Sequence, residues 1–400
     1  MASHRLLPGA DARQGLVALA LNSSSSLVAG AVLGSITDTL ARYPGMLLLV
    51  TPAIGLRGNI FGALGNRVST SIHAGELQLR LRRSTVLGQN VLAALALTLG
   101  MSVVLVVLAA LISVGLHLGP TLGLAELSLV SVGGGLVASI PVLLATLGLA
   151  AGAVRYGWDL DNVTAPLVST LGDVLTLPAL WLATGLLGYG LVTTGLGWTL
   201  ALAGLAAIAW GVVAALPQVR RIVRMSLPIL VVAGLVSTFA GVALERRLET
   251  FTTYPALLIL VPAHLSSAGA LGGILSGRLS SKLLLGMAPP TAVPARAARD
   301  DLRFVSALAL PAFVMNGLGA HLVAGVIGLD SPGALELVAA SLLGGAAAML
   351  VVLVIAYYGT IATVRTDLDP DTYGIPMVSS TVDLVGALTL IVAIAVLGLT

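Results

Sequence analysis

DLDNVTAPLVSTLGDVL, residues 159–175, returns 210 residues later as DPDTYGIPMVSSTVDLV, residues 369–385. At that offset Asp159, Asp161, Pro166, Val168, Ser169 and Asp173 fall on Asp369, Asp371, Pro376, Val378, Ser379 and Asp383. Asp173 and Asp383 each stand in an otherwise apolar stretch. A carboxylate inside a bilayer is costly, and here the cost is incurred twice at equivalent positions. The repetition predicts a duplicated protein whose halves each contribute one aspartate to a cation site.

The surroundings of these phrases are apolar almost throughout. The 400 residues are 57% hydrophobic and 9% charged, with a mean hydropathy of +1.04. Soluble domains carry about 25% charged residues, so this composition predicts an all-α integral membrane protein embedded in the lipid bilayer. Eleven spans are expected, at 16–38, 44–68, 88–115, 127–153, 164–188, 195–217, 226–245, 254–277, 303–327, 335–361 and 373–399. The 47 glycines point to close helix packing or broken helices. With no cysteine, disulfides, thiol catalysis and thiolate metal sites are excluded. A net charge of +3 gives no reason to expect nucleic acid as a partner. The short polar N-terminus is read as leading into the first span rather than as a signal peptide, and no regulatory domain is expected at either end.

The repeat extends beyond the aspartates. Tyr43-Pro44 precedes the second span as Tyr254-Pro255 precedes the eighth, and Arg67 and Ser69 fall on Arg278 and Ser280. Glu126 and Glu336 stand ahead of the fourth and tenth spans. The duplication covers about 1–188 and 223–400, with five spans in each half. Directly joined copies of five spans would be inverted. The unduplicated segment GWTLALAGLAAIAWGVVAAL (197–216), within a linker at 189–222, is long enough to span and returns the chain to its starting side. The halves are therefore expected to run parallel, related by a pseudo-two-fold axis along the membrane normal. Charge supports this arrangement. With the N-terminus cytoplasmic and the C-terminus outside, sixteen Arg and Lys residues lie inside, against Arg42, Arg246 and Arg247 outside.

Several residues then become candidates for chemistry. Asp173 and Asp383, one from each half, can hold a hydrated divalent ion through its waters, since Mg²⁺ prefers oxygen ligands and dehydrates reluctantly. Ser169, Thr170, Ser379 and Ser380, with carbonyls freed by Pro166 and Pro376, can line the path, as can Gly58 and Asn59. The competing reading of the aspartates is a protonated or paired group that helps helices pack. Asp159, Asp161, Asp369 and Asp371 can gather cations at a cytoplasmic mouth, or serve as helix caps. Asp38 and Glu249 occupy equivalent positions that suit an outer vestibule. The glycine-rich second spans, from Pro52 and from Pro262, can either break or pack closely. Arg57 is left within a span, to be paired with an acid such as Asp38 or Glu249 or with a helix carbonyl end. Five scattered histidines have no ligand spacing, so zinc is not expected.

The phrases PAIGLRGNIFGALGNRVSTSIHAGEL (52–77) and PLVSTLGDVL (166–175) resemble the membrane domain of MgtE-type magnesium channels, and above all their duplicated relatives in solute carrier family 41. The resemblance covers essentially the whole chain, once per half. It implies five-helix units around a Mg²⁺ pore lined by each unit's last helix, with the pore aspartate falling on Asp173 and Asp383. One chain would then supply both units, as a single-chain pseudo-dimer. The sequence departs from the family in Ala165 and Ile375 before the pore prolines. The family's cytosolic Mg²⁺-sensing domains are not expected here, so their gate is not carried over.

The expected function is a Mg²⁺ channel or uniporter in a plasma or inner cell membrane, with Mg²⁺ as the transported ion and no organic cofactor. A Na⁺-coupled Mg²⁺ carrier is the alternative. An intramembrane aspartyl protease is the remote one, because TLGD and STVD do not match the GxGD such enzymes carry and equivalent contexts suit equivalent roles.

Overall fold

A computed structural model describes residues 8–73, 80–118, 122–156, 160–284, 287–366 and 375–399. Among them every regular element is helical. The chain forms α1 (Pro8–Ser35), α2 (Thr37–Arg42), α3 (Met46–His73), α4 (Val86–Gly115) and α5 (Leu124–Ser128). A π-helical turn (Leu129–Gly134) joins α5 to α6 (Gly135–Tyr156), and α7 (Leu160–Thr184) and α8 (Leu191–Val213) follow. Then come α9 (Pro217–Glu245), α10 (Leu248–Thr253), α11 (Pro255–Leu284), α12 (Arg296–Ile327), α13 (Ala334–Arg365) and α14 (Ile375–Val396). Ten stretches among the described residues are long and apolar enough to cross a membrane, and α7 adds the shorter apolar stretch Thr170–Thr184. The protein is an all-α integral membrane protein.

Local chemistry marks the helix ends. Thr85 accepts from the Gly88 amide to cap α4, and Gly328, at φ 74°, closes α12 in the left-handed conformation that glycine tolerates. Glu126, in the first turn of α5, accepts from the Gly123 amide at 2.9 Å. The α3 N-terminus is capped from a distance: the Glu245 carboxylate at the end of α9 accepts from the Gly45 and Leu47 amides at 2.7 and 3.3 Å. Both glycine-rich second spans run unbroken, with Pro52 inside α3 and Pro262 inside α11. Of the two roles weighed for them, breaking does not occur, while at Gly62 of α3 and at Gly269, Gly273 and Gly277 of α11 a Cβ would meet nothing within 4 Å.

Two compact units form, and their membership cuts across the sequence repeats. One holds residues 36–248 with 371–381, and the other holds 1–35, 249–370 and 382–400. In the first, α3 packs on α4, α6, α7 and α9, while α8 lies against α4, α5 and α9. In the second, α11 packs on α1, α12 and α13. Thus α9, from the second half of the chain, sits with α3, and α1, from the first half, sits with α11. Glycines make both contacts possible. A Cβ on Gly241 would overlap the Leu47 carbonyl oxygen, and one on Gly30 would overlap that of Ile259. Gly30 and Gly241 are repeat equivalents. Each lets two helix backbones approach to a distance that no side chain permits.

Other bonds recur once per unit. Arg67 Nε donates to Asn90 Oδ1 at 2.8 Å, and its equivalent Arg278 Nε donates to Asp301 Oδ1 at 2.8 Å. Ser131 Oγ donates to the Ser102 carbonyl at 2.9 Å, and Ser341 Oγ to that of Phe313 at 2.7 Å. The second unit adds charge to the first of these clamps, because Lys282 Nζ also reaches Asp301 Oδ2 at 2.6 Å. Asp301 is 1% exposed, while its cations keep 34% and 23% of their side-chain surface. Removing a buried partner costs about 3–5 kcal/mol, less where the remaining charges reach water. Asp301→Ala is therefore expected to destabilise the protein by about 1–3 kcal/mol. Asp301→Asn, which copies the other unit, should lose less than half of that. Thermal unfolding of the purified variants in detergent checks the order.

Candidate cation site

In each unit the aspartate-bearing helix lies on the second-span helix. A Cβ on Gly172 would stand 3.5 Å from Arg57 Cβ and 3.6 Å from the Gly58 amide nitrogen, so α7 rests on α3 one residue before Asp173. Asp173 is 7% exposed there. In the other unit, Gly386 of α14 packs on Leu265 and lies 3.9 Å, by its would-be Cβ, from the His264 ring on α11. Asp383 precedes it by three residues and is half-buried.

The neighbours predicted from sequence are only partly gathered around these aspartates. Asn59 and Pro376 line one narrow cleft together with Ile60, Ala63, Arg67 and Ser226. Gly58 marks the α3–α7 crossing. Thr170 and Ser379 are half-buried on their helices. Ser380, buried, turns its hydroxyl back to the Met377 carbonyl at 3.2 Å. Pro376 is buried in α14, and the residues directly before Ile375 lie outside the described ones. Pro166 and Ser169 fall within α7 and Asp161 near its start, with their side chains outside the described residues. Asp159, Asp369 and Asp371 lie outside the described residues altogether. Asp38 and Glu249 are exposed, each in the first turn of a short helix, α2 and α10. Among the described residues, no three histidine or acidic side chains cluster as a metal-ion site.

Arg57 pairs with neither Asp38 nor Glu249. It is 1% exposed, its Nη1 donates to the Ala53 carbonyl one turn back, and its Nε meets no acceptor. Space for the guanidinium comes from Gly135 on α6, where a Cβ would lie 2.7 Å from Nη2 and 2.9 Å from Ser102 Oγ. Gly135 directly follows the π-helical turn, a feature the sequence reading passed over although Gly133-Gly134-Gly135 could have signalled it. His264 was also passed over. It is fully buried, neither ring nitrogen has a hydrogen-bond partner, and it packs on Phe313 at 5.1 Å. Its signal was a polar ring in an apolar span at the repeat position of Ala53.

The comparisons with known proteins fall on both halves. Residues 50–183 and 261–393 each match the family model MgtE, divalent cation transporter. Solute carrier family 41 member 3 of Rattus norvegicus is 25% identical over 382 residues, covering 88% of this chain and 81% of that protein. The Mus musculus member 3 is 25% identical over 364 residues, covering 85% and 73%. Solute carrier family 41 member 2 of Xenopus laevis is 27% identical over 291 residues, covering 69% of this chain and 50% of that protein. No solved structure matches the chain.

Proposed function

The chain belongs to the MgtE family of divalent cation transporters, and from that premise we propose that it conducts Mg²⁺ as a channel or uniporter, with Asp173 and Asp383 as the carboxylates of its ion position. One observation carries this reading. Each copy of the family match contains one acidic residue in the middle of its last apolar span, at the same repeat position. A hydrated divalent ion held by one carboxylate from each repeat keeps most of its waters, which suits the slow dehydration of Mg²⁺. Serine and threonine hydroxyls at 169, 170, 379 and 380 extend the polar path along the same helices. The acids at 159, 161, 369 and 371 then concentrate cations at the cytoplasmic mouth, and Asp38 and Glu249 do so at the outer one. In this reading the repeats run parallel in a cell membrane, N-terminus inside, and one chain supplies both halves of the pathway.

Family members are transporters, not enzymes, so the aspartates are assigned no catalysis. Voltage is the driving force. A divalent ion gains about 4.6 kcal/mol per 100 mV of negative-inside potential, enough for uptake without a second ion. Proteoliposomes with a K⁺-diffusion potential and no Na⁺ on either side are therefore expected to accumulate Mg²⁺, in proportion to the imposed voltage. Uptake that needs a Na⁺ gradient at clamped voltage would replace the uniporter with an exchanger working through the same two aspartates.

A further inference from the structure

The two halves fill one buried position with different chemistry. In the first unit it holds Arg57, with Ala53 one turn before it on α3 and Ser102 opposite on α4. At the repeat equivalents the second unit has Ala268, His264 and Phe313. The surroundings correspond. Gly135 lies beside the guanidinium, and Gly344 lies 3.2 Å, by its would-be Cβ, from the His264 ring, with Gly345 against Phe313. The serine bonds to the Ser102 and Phe313 carbonyls hold the same helices together. The large groups have changed places while the packing has been kept. What differs is charge: a guanidinium is cationic at every accessible pH, whereas an imidazole is ordinarily neutral at pH 8.

We infer that Arg57 is a specificity-determining residue: a built-in positive charge beside the Asp173 ion position that weakens cation binding there and permits release. This rests on the reading of Asp173 as an ion ligand. Three observations support it. Arg57 is 1% exposed, and its charge is spread over little more than the Ala53 carbonyl. No acid among the described residues pairs with it. The α7 backbone crosses α3 at Arg57 itself, one residue before Asp173. Water cannot screen a charge so buried, so its field reaches the ion. A structural role alone would not require a cation, since the other unit fills the equivalent space with an imidazole and a phenyl ring.

Mg²⁺ uptake into proteoliposomes at pH 8 tests this, with half-saturation measured for Mg²⁺ and inhibition measured for K⁺. Arg57→Gln is expected to lower the half-saturating Mg²⁺ concentration by about tenfold or more. The shift for K⁺ should be half as large on a logarithmic scale, because the energy of an ion near a fixed charge scales with its valence. Arg57→Lys should behave as the parent. The triple variant Ala53→His/Arg57→Ala/Ser102→Phe, which installs the second unit's packing without its fixed charge, should shift as Arg57→Gln does and covers the case in which that variant fails to fold. Unchanged half-saturation, or equal shifts for both valences, would overturn the role of Arg57. Asp173→Asn is measured alongside. If its Mg²⁺ affinity is unchanged the ion-site reading falls and this inference with it, whereas a changed Asp173→Asn with an unchanged Arg57→Gln removes Arg57 alone.

Discussion

Proteoliposomes carrying Asp173→Asn/Asp383→Asn are expected to take up Mg²⁺ about a hundredfold more slowly than those with the parent protein. The argument is electrostatic. A divalent ion between two carboxylates gains from both, and at an effective dielectric near 20 a unit pair at 4 Å is worth about 4 kcal/mol. Separation by a water layer reduces each contribution without removing it. Asparagine keeps the size and hydrogen-bonding capacity of aspartate, so the helices should pack as before and the loss should appear in flux rather than yield. Each single substitution should retain intermediate uptake, because the other carboxylate remains. Dye-reported uptake under a fixed diffusion potential, beside a thermal-unfolding control, makes the comparison. Parent-like flux in the double variant would remove the ion-position assignment and leave the aspartates as packing groups.

Gly241→Leu and Gly30→Leu should each cost more than about 3 kcal/mol, most of a typical margin of stability. In each case a side chain would be driven into a backbone carbonyl of the facing helix, Leu47 on α3 or Ile259 on α11. A backbone cannot rotate away as a flexible side chain can. Even alanine at these positions should be destabilising. Gly62 is the control. It lies in the same α3, where a Cβ would meet nothing within 4 Å, so Gly62→Ala should be neutral or gain up to about 1 kcal/mol from helix propensity. Unfolding temperatures in detergent separate the three. Equal effects at Gly62 and Gly241 would mean that the close approach of α9 to α3 is not the source of the cost.

Much of the architecture was legible in the chain. The apolar runs around α4, α8 and α13 could only be spans, and their lengths agree with the helices to within a few residues. Glu126, placed by the sequence just ahead of the fourth span, lies in the first turn of α5 and accepts from the Gly123 amide. Arg57 had two candidate acids on paper. Choosing among them and a nearby carbonyl needed the rotamer and the helices around it, and these brought it to Ala53. Gly135 and His264 drew little notice for a related reason: their meaning lies in a neighbour on another helix.

The sequence by itself determined the class, the duplication and the equivalence of Asp173 and Asp383. Hydropathy and repetition are properties of a one-dimensional string, and a bilayer turns apolar length into spans without further instruction. Only the tertiary structure decided that α1 joins α11 while α9 joins α3, and that Arg57 turns to a carbonyl beside Gly135. Those outcomes depend on how closely two backbones can approach, at Gly30 and Gly241 above all. Inside a membrane every helix offers much the same apolar surface, so partners are chosen by fit, and fit is not written in the order of the residues.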